Sequence, residues 1–195
     1  GQKVMDEAKA LKPKGKIIMV QTDVTKWDSV QATVKKVLDE FGKIDVLVNV
    51  VGWTFDRLFI EKPREEWEKE INLNFWSVIN CTRAVLDHMI ERKSGAIVSI
   101  GSDAGRMGEF REAVYGGTKG AIIAMSKAIA REVGRYNIRL NVVCPGATIP
   151  ESAEHAGELS MFKGITKDVI PAEVKDKIIK GYPLRRLATS QEIAN

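Results

Sequence analysis

The sequence has little of what builds metal sites, disulfide frameworks and phosphate loops. Its two histidines, His88 and His155, form no HExxH pair, which argues against a histidine-built zinc site. Neither has a serine or acid partner for a hydrolase triad. His88 lies in a long helical stretch and reads as a packing or surface histidine. The two cysteines, Cys81 and Cys144, sit in apolar stretches, which fits a reducing, cytoplasmic setting better than a disulfide framework. No run approaches the roughly 18 apolar residues of a membrane helix. The opening GQKVMDEAKALKPKG has no apolar signal core. There is no GxGxxG turn and no GxxxxGK(S/T) loop. Net charge is +4, but the basic residues alternate with acids, as in EEWEKE and IERK. They therefore read as solvated helix faces and not as a nucleic-acid surface.

The 195 residues suit one domain with a sizeable core. Apolar runs alternate with amphipathic stretches. Strands are expected over 16–23 (KIIMVQTD), 44–52 (IDVLVNVVG), 95–102 (GAIVSIGS) and 138–144 (IRLNVVC). Helices are expected over 26–42, over 63–93 with Pro63 near the first turn, and over 112–133. The strands are continuously apolar, so burial on both faces and a doubly wound parallel α/β sheet are expected. Residues 1–11 read as the tail of a helix, and Thr189 with Glu192 has capping-box spacing. Both ends look cut, as if flanking segments were absent. Residues 148–174 lack a clear period, which suits a lid or binding loop.

The chemistry concentrates in EAVYGGTKGAIIAMSKAIAREV, residues 112–133. Tyr115 and Lys119 are one helical turn apart and share a face. A tyrosine is a poor base at neutral pH. A neighbouring ammonium is expected to lower its pKa and make it an acid/base. Alone, the spacing means little. Ser102 adds to it, thirteen residues earlier at the carboxyl end of an expected strand, where parallel sheets bind ligands. Asp23, Gly52 and Pro145-Gly146 punctuate the other strand ends.

These motifs resemble the short-chain dehydrogenase/reductase family over nearly the whole chain from residue 16. SIGS with Ser102 and YGGTK with Tyr115 and Lys119 match its Ser…Tyr-x-x-x-Lys. INLNFWSV resembles the helix that supplies a catalytic asparagine, here Asn72. TDVT matches its adenine-pocket segment through Asp23 and Val24, and VCPG its nicotinamide segment. The resemblance implies an incomplete Rossmann-type domain over 1–195, lacking its first βαβ portion and its last helix and strand. It implies an NAD(P)-dependent interconversion of ketone and secondary alcohol. Tyr115 would be the acid/base, Lys119 would hold the nicotinamide ribose, Ser102 would orient the carbonyl and Asn72 would serve a proton relay. Asp23, Val24, Asn49, Gly52, Tyr115, Lys119, Pro145, Gly146 and Thr148 would meet NAD or NADP. A small carbonyl or alcohol substrate and a homotetramer or dimer would follow, without nucleic acid, membrane or metal. The helices over 63–93 and around Tyr115 would form one interface of that assembly.

The chain departs from the family in reading Asn49-Val50-Val51-Gly52 after the second expected strand, and Pro150 in place of a threonine. The Gly52-Trp53 pair and the loop before Tyr115 look like dehydrogenases of alicyclic hydroxyacyl-CoA thioesters. They look less closely like 3-oxoacyl-acyl-carrier-protein reductases. Arg57, Arg106 and Arg111 are candidates for a thioester's phosphates, against the plainer reading of surface arginines. Trp53 is a candidate pocket wall or packing residue. A catalytically silent binding or scaffold protein on the same fold is the alternative, disfavoured because Ser102, Tyr115, Lys119 and Asn72 are kept together.

Overall fold

The computed structural model describes residues 2–148 and 172–195. Within them the chain runs α1 (Gln2–Ala10), α2 (Trp27–Phe41), β1 (Val46–Asn49), α3 (Arg64–Ile71), a π turn (Asn72–Trp76), α4 (Ser77–Arg92), β2 (Gly95–Ile100), α5 (Ala104–Met107), α6 (Ala113–Val133), β3 (Ile138–Val143), α7 (Ala172–Lys180) and α8 (Ser190–Ala194). The strands form one parallel sheet in the order β1-β2-β3. Parallel neighbours need a crossover of a dozen residues or more. Here α3 and α4 join β1 to β2, and α5 and α6 join β2 to β3.

Side chains alternate across a strand, so Leu47, Ile97 and Leu140, register partners in turn, share a face. Against it pack Val34 of α2, Val85 and Met89 of α4, and Ile129 and Val133 of α6. Met89, Ile97 and Ile122 are fully buried. On the opposite face of β1, Val46 is 57% exposed and Val48 53%. Among the described residues, α2, α4 and α6 thus form one helical layer on one side of the sheet.

Residues 16–23 correct one expectation. They are rich in strand-forming residues but form no ladder. Propensity fits a residue to a pleated surface; a strand also needs a neighbour for its N–H and C=O groups. The sheet ends at β1, which pairs with β2 alone. Residues 16–23 lean on α2 through Thr22 Oγ1, 2.5 Å from Thr33 Oγ1, and Asp23 N, which donates to Ser29 Oγ at 2.9 Å.

The helix expected over 63–93 is continuous in path but changes type at the π turn. His88 accepts a hydrogen bond from Ile44 N at 3.2 Å, a packing role. Thr189 and Glu192 close the capping box of α8 as expected. The suggested lid, Pro150 and His155 fall within or largely within 149–171, outside the described residues. Replacing Ile122 by Ala is expected to cost about 2–5 kcal/mol, since the cavity adds to the lost transfer term. Urea unfolding with unchanged helical content checks it.

Candidate active site

The carboxyl ends of the three strands converge. Gly52 follows β1, Ser102 follows β2 and Pro145-Gly146 follows β3. Gly101 N donates to Val143 O at 2.7 Å and Asp103 N to Pro145 O at 3.0 Å, which sets the Ser102 loop beside Pro145.

Lys119 reaches this end from α6. It is 3% exposed, and Nζ donates to Ile100 O, the last carbonyl of β2, at 2.7 Å. Burial pulls the ammonium down to about 8, against a small opposing effect from Cys144. Nζ lies 5.5 Å from the Tyr115 ring centroid. Ser102 Oγ accepts from Ala104 N at 3.1 Å and lies close enough to the Tyr115 hydroxyl to lower its pKa. The structure corrects the expected sign of the Tyr115 shift. Burial raises its pKa, the Ser102 bond works the other way, and the charges of Glu112 and Glu70 add to the rise. The Lys119 ammonium, bonded to the Ile100 carbonyl, is not among the causes of this shift.

The glycines of this region let α5 lie backbone to backbone on α6. A Cβ on Gly105 would stand 2.6 Å from Gly120 N and from Lys119 C. One on Gly116 would stand 2.9 Å from Ala104 O. Gly117 faces open space.

The asparagine is also corrected. Asn72 is exposed, whereas Asn74, two residues on, is 0% exposed and turned inward. Asn74 lies in a π turn, which widens the helix by one residue per turn, a feature frequent at functional sites. Asn74 Oδ1 accepts from Trp53 N at 2.9 Å and Nδ2 donates to Trp53 O at 2.7 Å. A Cβ on Gly52 would stand 2.9 Å from Asn74 Oδ1 and 3.4 Å from Lys119 Nζ. The amide therefore holds the Gly52-Trp53 turn against Lys119. Sequence reasoning passed over Asn74 although INLNFW carries both asparagines.

The remaining candidates divide. Asn49 is buried, and its amide donates to Thr82 Oγ1 at 3.3 Å and Ser99 Oγ at 3.1 Å, binding β1 to β2 and α4. That side chain is turned into the fold, away from a ligand. Asp23 caps its own turn, accepting from Thr25 N and Oγ1, which lowers its pKa. Val24 O accepts from Asn80 Nδ2 at 3.1 Å. Thr148 Oγ1 donates to Gly146 O at 3.2 Å, and the Thr148 backbone forms a parallel bridge with that of Ala188. Tyr182, absent from the sequence reading, packs on Gly146, and its hydroxyl accepts from Ala147 N at 2.7 Å. Lys69 Nζ stands 3.9 Å over the Trp53 ring. Arg57 pairs with Glu66, Arg106 with Asp103, and Arg111 with the Asp56 carbonyl. A hollow of about 900 Å³ lined by Lys127, Leu140 and Cys144 lies between α6 and β3 and does not include Tyr115.

Comparison with known proteins identifies the family. The family model described as short chain dehydrogenase matches residues 1–158. The chain is 39% identical over 179 residues to the 3-oxoacyl-acyl-carrier-protein reductase FabG of Chlamydia muridarum, covering 92% of this chain and 66% of that protein. It is 34% identical over 176 residues to FabG of Staphylococcus epidermidis, covering 90% and 66%. A solved structure of ElxO with NADP bound matches with a TM-score of 0.79 at 31% identity, over 91% of this chain and 68% of that one. The chain belongs to the short chain dehydrogenase family and has its Rossmann-type, doubly wound parallel α/β fold. It spans about two thirds of the length of the curated relatives it matches.

Asn74→Ala is expected to free the Trp53 backbone and destabilise the protein by about 1–3 kcal/mol, while Asn72→Ala stays within about 0.5 kcal/mol. Thermal unfolding of the two variants checks it. Gly105→Ala is expected to push α5 off α6 at a cost of about 1–3 kcal/mol. It should also disturb Tyr115, seen as an altered tyrosine signal in near-ultraviolet circular dichroism.

Proposed function

We propose that this chain carries the catalytic residues of an NAD(P)-dependent oxidoreductase that interconverts a ketone and a secondary alcohol, on a 3-oxoacyl or hydroxyacyl thioester. The relatives named as 3-oxoacyl-acyl-carrier-protein reductases support the thioester. One observation carries the reading: a half-buried Tyr115, its pKa raised so that it keeps its proton, with Ser102 beside it and a buried Lys119 of pKa about 8 one turn on.

In this reading Tyr115 gives its proton to the carbonyl oxygen as it becomes an alkoxide. The Ser102 hydroxyl hydrogen-bonds the same oxygen and orients it. The remaining phenolate, with a pKa above the ordinary value, is a stronger base than the amine of Lys119. Return of a proton from Lys119 to Tyr115 is therefore downhill. Asn74 positions the Gly52-Trp53 turn beside that ammonium.

The residues fit a dinucleotide. Gly52 leaves an open cradle that a Cβ would fill, beside a lysine with three protons and one carbonyl partner in Ile100. Lys119, Gly52, Pro145, Gly146 and Thr148 would hold the nicotinamide end, and Asp23 and Val24 the adenine end. When bound, NAD or NADP supplies the hydride chemistry. The ElxO structure with NADP bound supports this choice of cofactor. A homo-oligomer is part of the reading, supported by exposed Ile71 and Trp76 on the helical path from α3 to α4. So is a reducing, cytoplasmic setting, supported by free Cys81 and Cys144.

With acetoacetyl-CoA and NADPH or NADH, the full-length protein is expected to turn over and Tyr115→Phe to lose about 10²–10⁴-fold in rate. Full turnover by the variant would overturn the acid role. No turnover and no cofactor-induced thermal shift by the wild type would favour a silent binding protein.

A further inference from the structure

Residues 53–62 run from the Gly52 turn to α3, and two buried side chains of the helical path hold their first three residues. Asn74 takes both backbone groups of Trp53. Glu70, four residues before Asn74 and 0% exposed, takes the next two residues through one oxygen. Its Oε1 accepts from Thr54 Oγ1 at 3.1 Å and from Phe55 N at 3.3 Å. Lys62 Nζ, at the far end of the same loop, donates to that oxygen at 2.5 Å, and both side chains of this pair are almost wholly buried. The pair is a poor device for stability. Taking two charges out of water costs about what their attraction returns, and apolar residues of like volume often serve as well. Glu70 Oε2 has no hydrogen-bond partner among the described residues, which adds to the cost. What the carboxylate supplies that an apolar side chain lacks is an acceptor for the Thr54 hydroxyl and the Phe55 amide.

The segment so fixed borders the strand ends. At one end the Gly52 turn stands against Lys119. At the other, Arg57 N donates to Arg111 O and Arg111 Nη2 to Asp56 O, each at 3.2 Å, which joins the loop to the residues that lead into the Tyr115 helix. Two aromatic rings lie between these ties. Lys69 Nζ stands 3.9 Å over the ring of Trp53, and Arg57 Cζ stands 5.3 Å over that of Phe55. Trp53 is half-buried and Phe55 is exposed.

We propose that Glu70, with Lys62 as its counter-ion, is a positioning residue that fixes Thr54-Phe55, so that Phe55 and the neighbouring Trp53 form an apolar wall for the acyl part of the substrate. This rests on the reading of the chain as an oxidoreductase of acyl thioesters. The two buried side chains divide the work. Asn74 holds the turn on the cofactor side, and Glu70 holds the two residues beyond it on the acyl side. Removing the Glu70 acceptor therefore weakens the hold on the thioester and leaves the cofactor end in place.

The test uses the full-length protein and two double variants, each without either charge. Lys62→Met with Glu70→Gln keeps an amide oxygen for Thr54 and Phe55. Lys62→Met with Glu70→Leu removes the acceptor as well. Neither leaves a buried charge unpaired, so both are expected to melt within about 5 °C of the wild type. The Phe55 amide is expected to exchange about tenfold faster in the Leu variant and at about the wild-type rate in the Gln variant. With 3-oxooctanoyl-CoA and NADPH, KM for the thioester should rise about tenfold in the Leu variant and less than about threefold in the Gln variant, with KM for NADPH unchanged in both. Equal thioester KM values in the two variants would overturn the proposal. So would a matching rise in KM for NADPH, the mark of a general loosening. Phe55→Ala changes an exposed side chain and tests the wall directly: an unaltered thioester KM would overturn it whether or not the double variants fold. A wild type that turns nothing over would sink the functional reading, and calorimetric titration with 3-oxooctanoyl-CoA then decides the proposal. Binding about tenfold weaker in the Leu variant than in the Gln variant would support it, and equal binding or none would overturn it.

Discussion

A buried ammonium bonded to the last carbonyl of a strand is the fixed point of the functional end. Lys119 has left water, which is costly for a charge without partners, and Ile100 O supplies one. That bond sets the register of α6 against β2. Tyr115, one turn earlier, then falls beside Ser102 on the loop that continues β2. The backbone contact of α5 with α6 keeps α6 close enough, and any Cβ on Gly105 would prise the two apart. Packing, backbone geometry and the acid/base properties of the site thus depend on one another.

The electrostatics follow from the same burial. Removing water disfavours the charged form of both groups, so the phenol rises and the ammonium falls. Their order is what matters. The better acid lies beneath the phenol, and the group nearest the substrate loop is kept protonated. The carboxylates of Glu70 and Glu112 push in the same direction on Tyr115. The acids around α3 and the start of α6 are therefore part of the site's charge balance and not surface decoration.

Much of this was legible because it is local. The one-turn spacing of Tyr115 and Lys119, the serine at a strand end and the capping box of Thr189 each depend on a few neighbouring residues. What was not legible depends on partners distant in sequence. Residues 16–23 have the composition of a strand, but composition does not reveal whether a neighbour lies alongside. Asn49 has the look of a ligand residue until Thr82 and Ser99 are seen to take its amide. Tyr182 reaches Ala147 from 35 residues away. Asn72 and Asn74 stand in one hexapeptide, and what tells them apart is the Trp53 backbone, 21 residues from Asn74, that its amide clasps.

That π turn has a consequence for how the helix tolerates length change. A regular helix that loses one residue rotates everything beyond it by about 100°. Here the turn already contains one residue more than an α-helix needs, so removing one between Asn72 and Trp76 would leave better helical hydrogen bonding than before. The helix would gain regularity while the amide that clasps Trp53 swung away from the strand ends. Local order and the geometry of the site are opposed in these five residues, and the irregularity is the state that keeps Gly52 against Lys119.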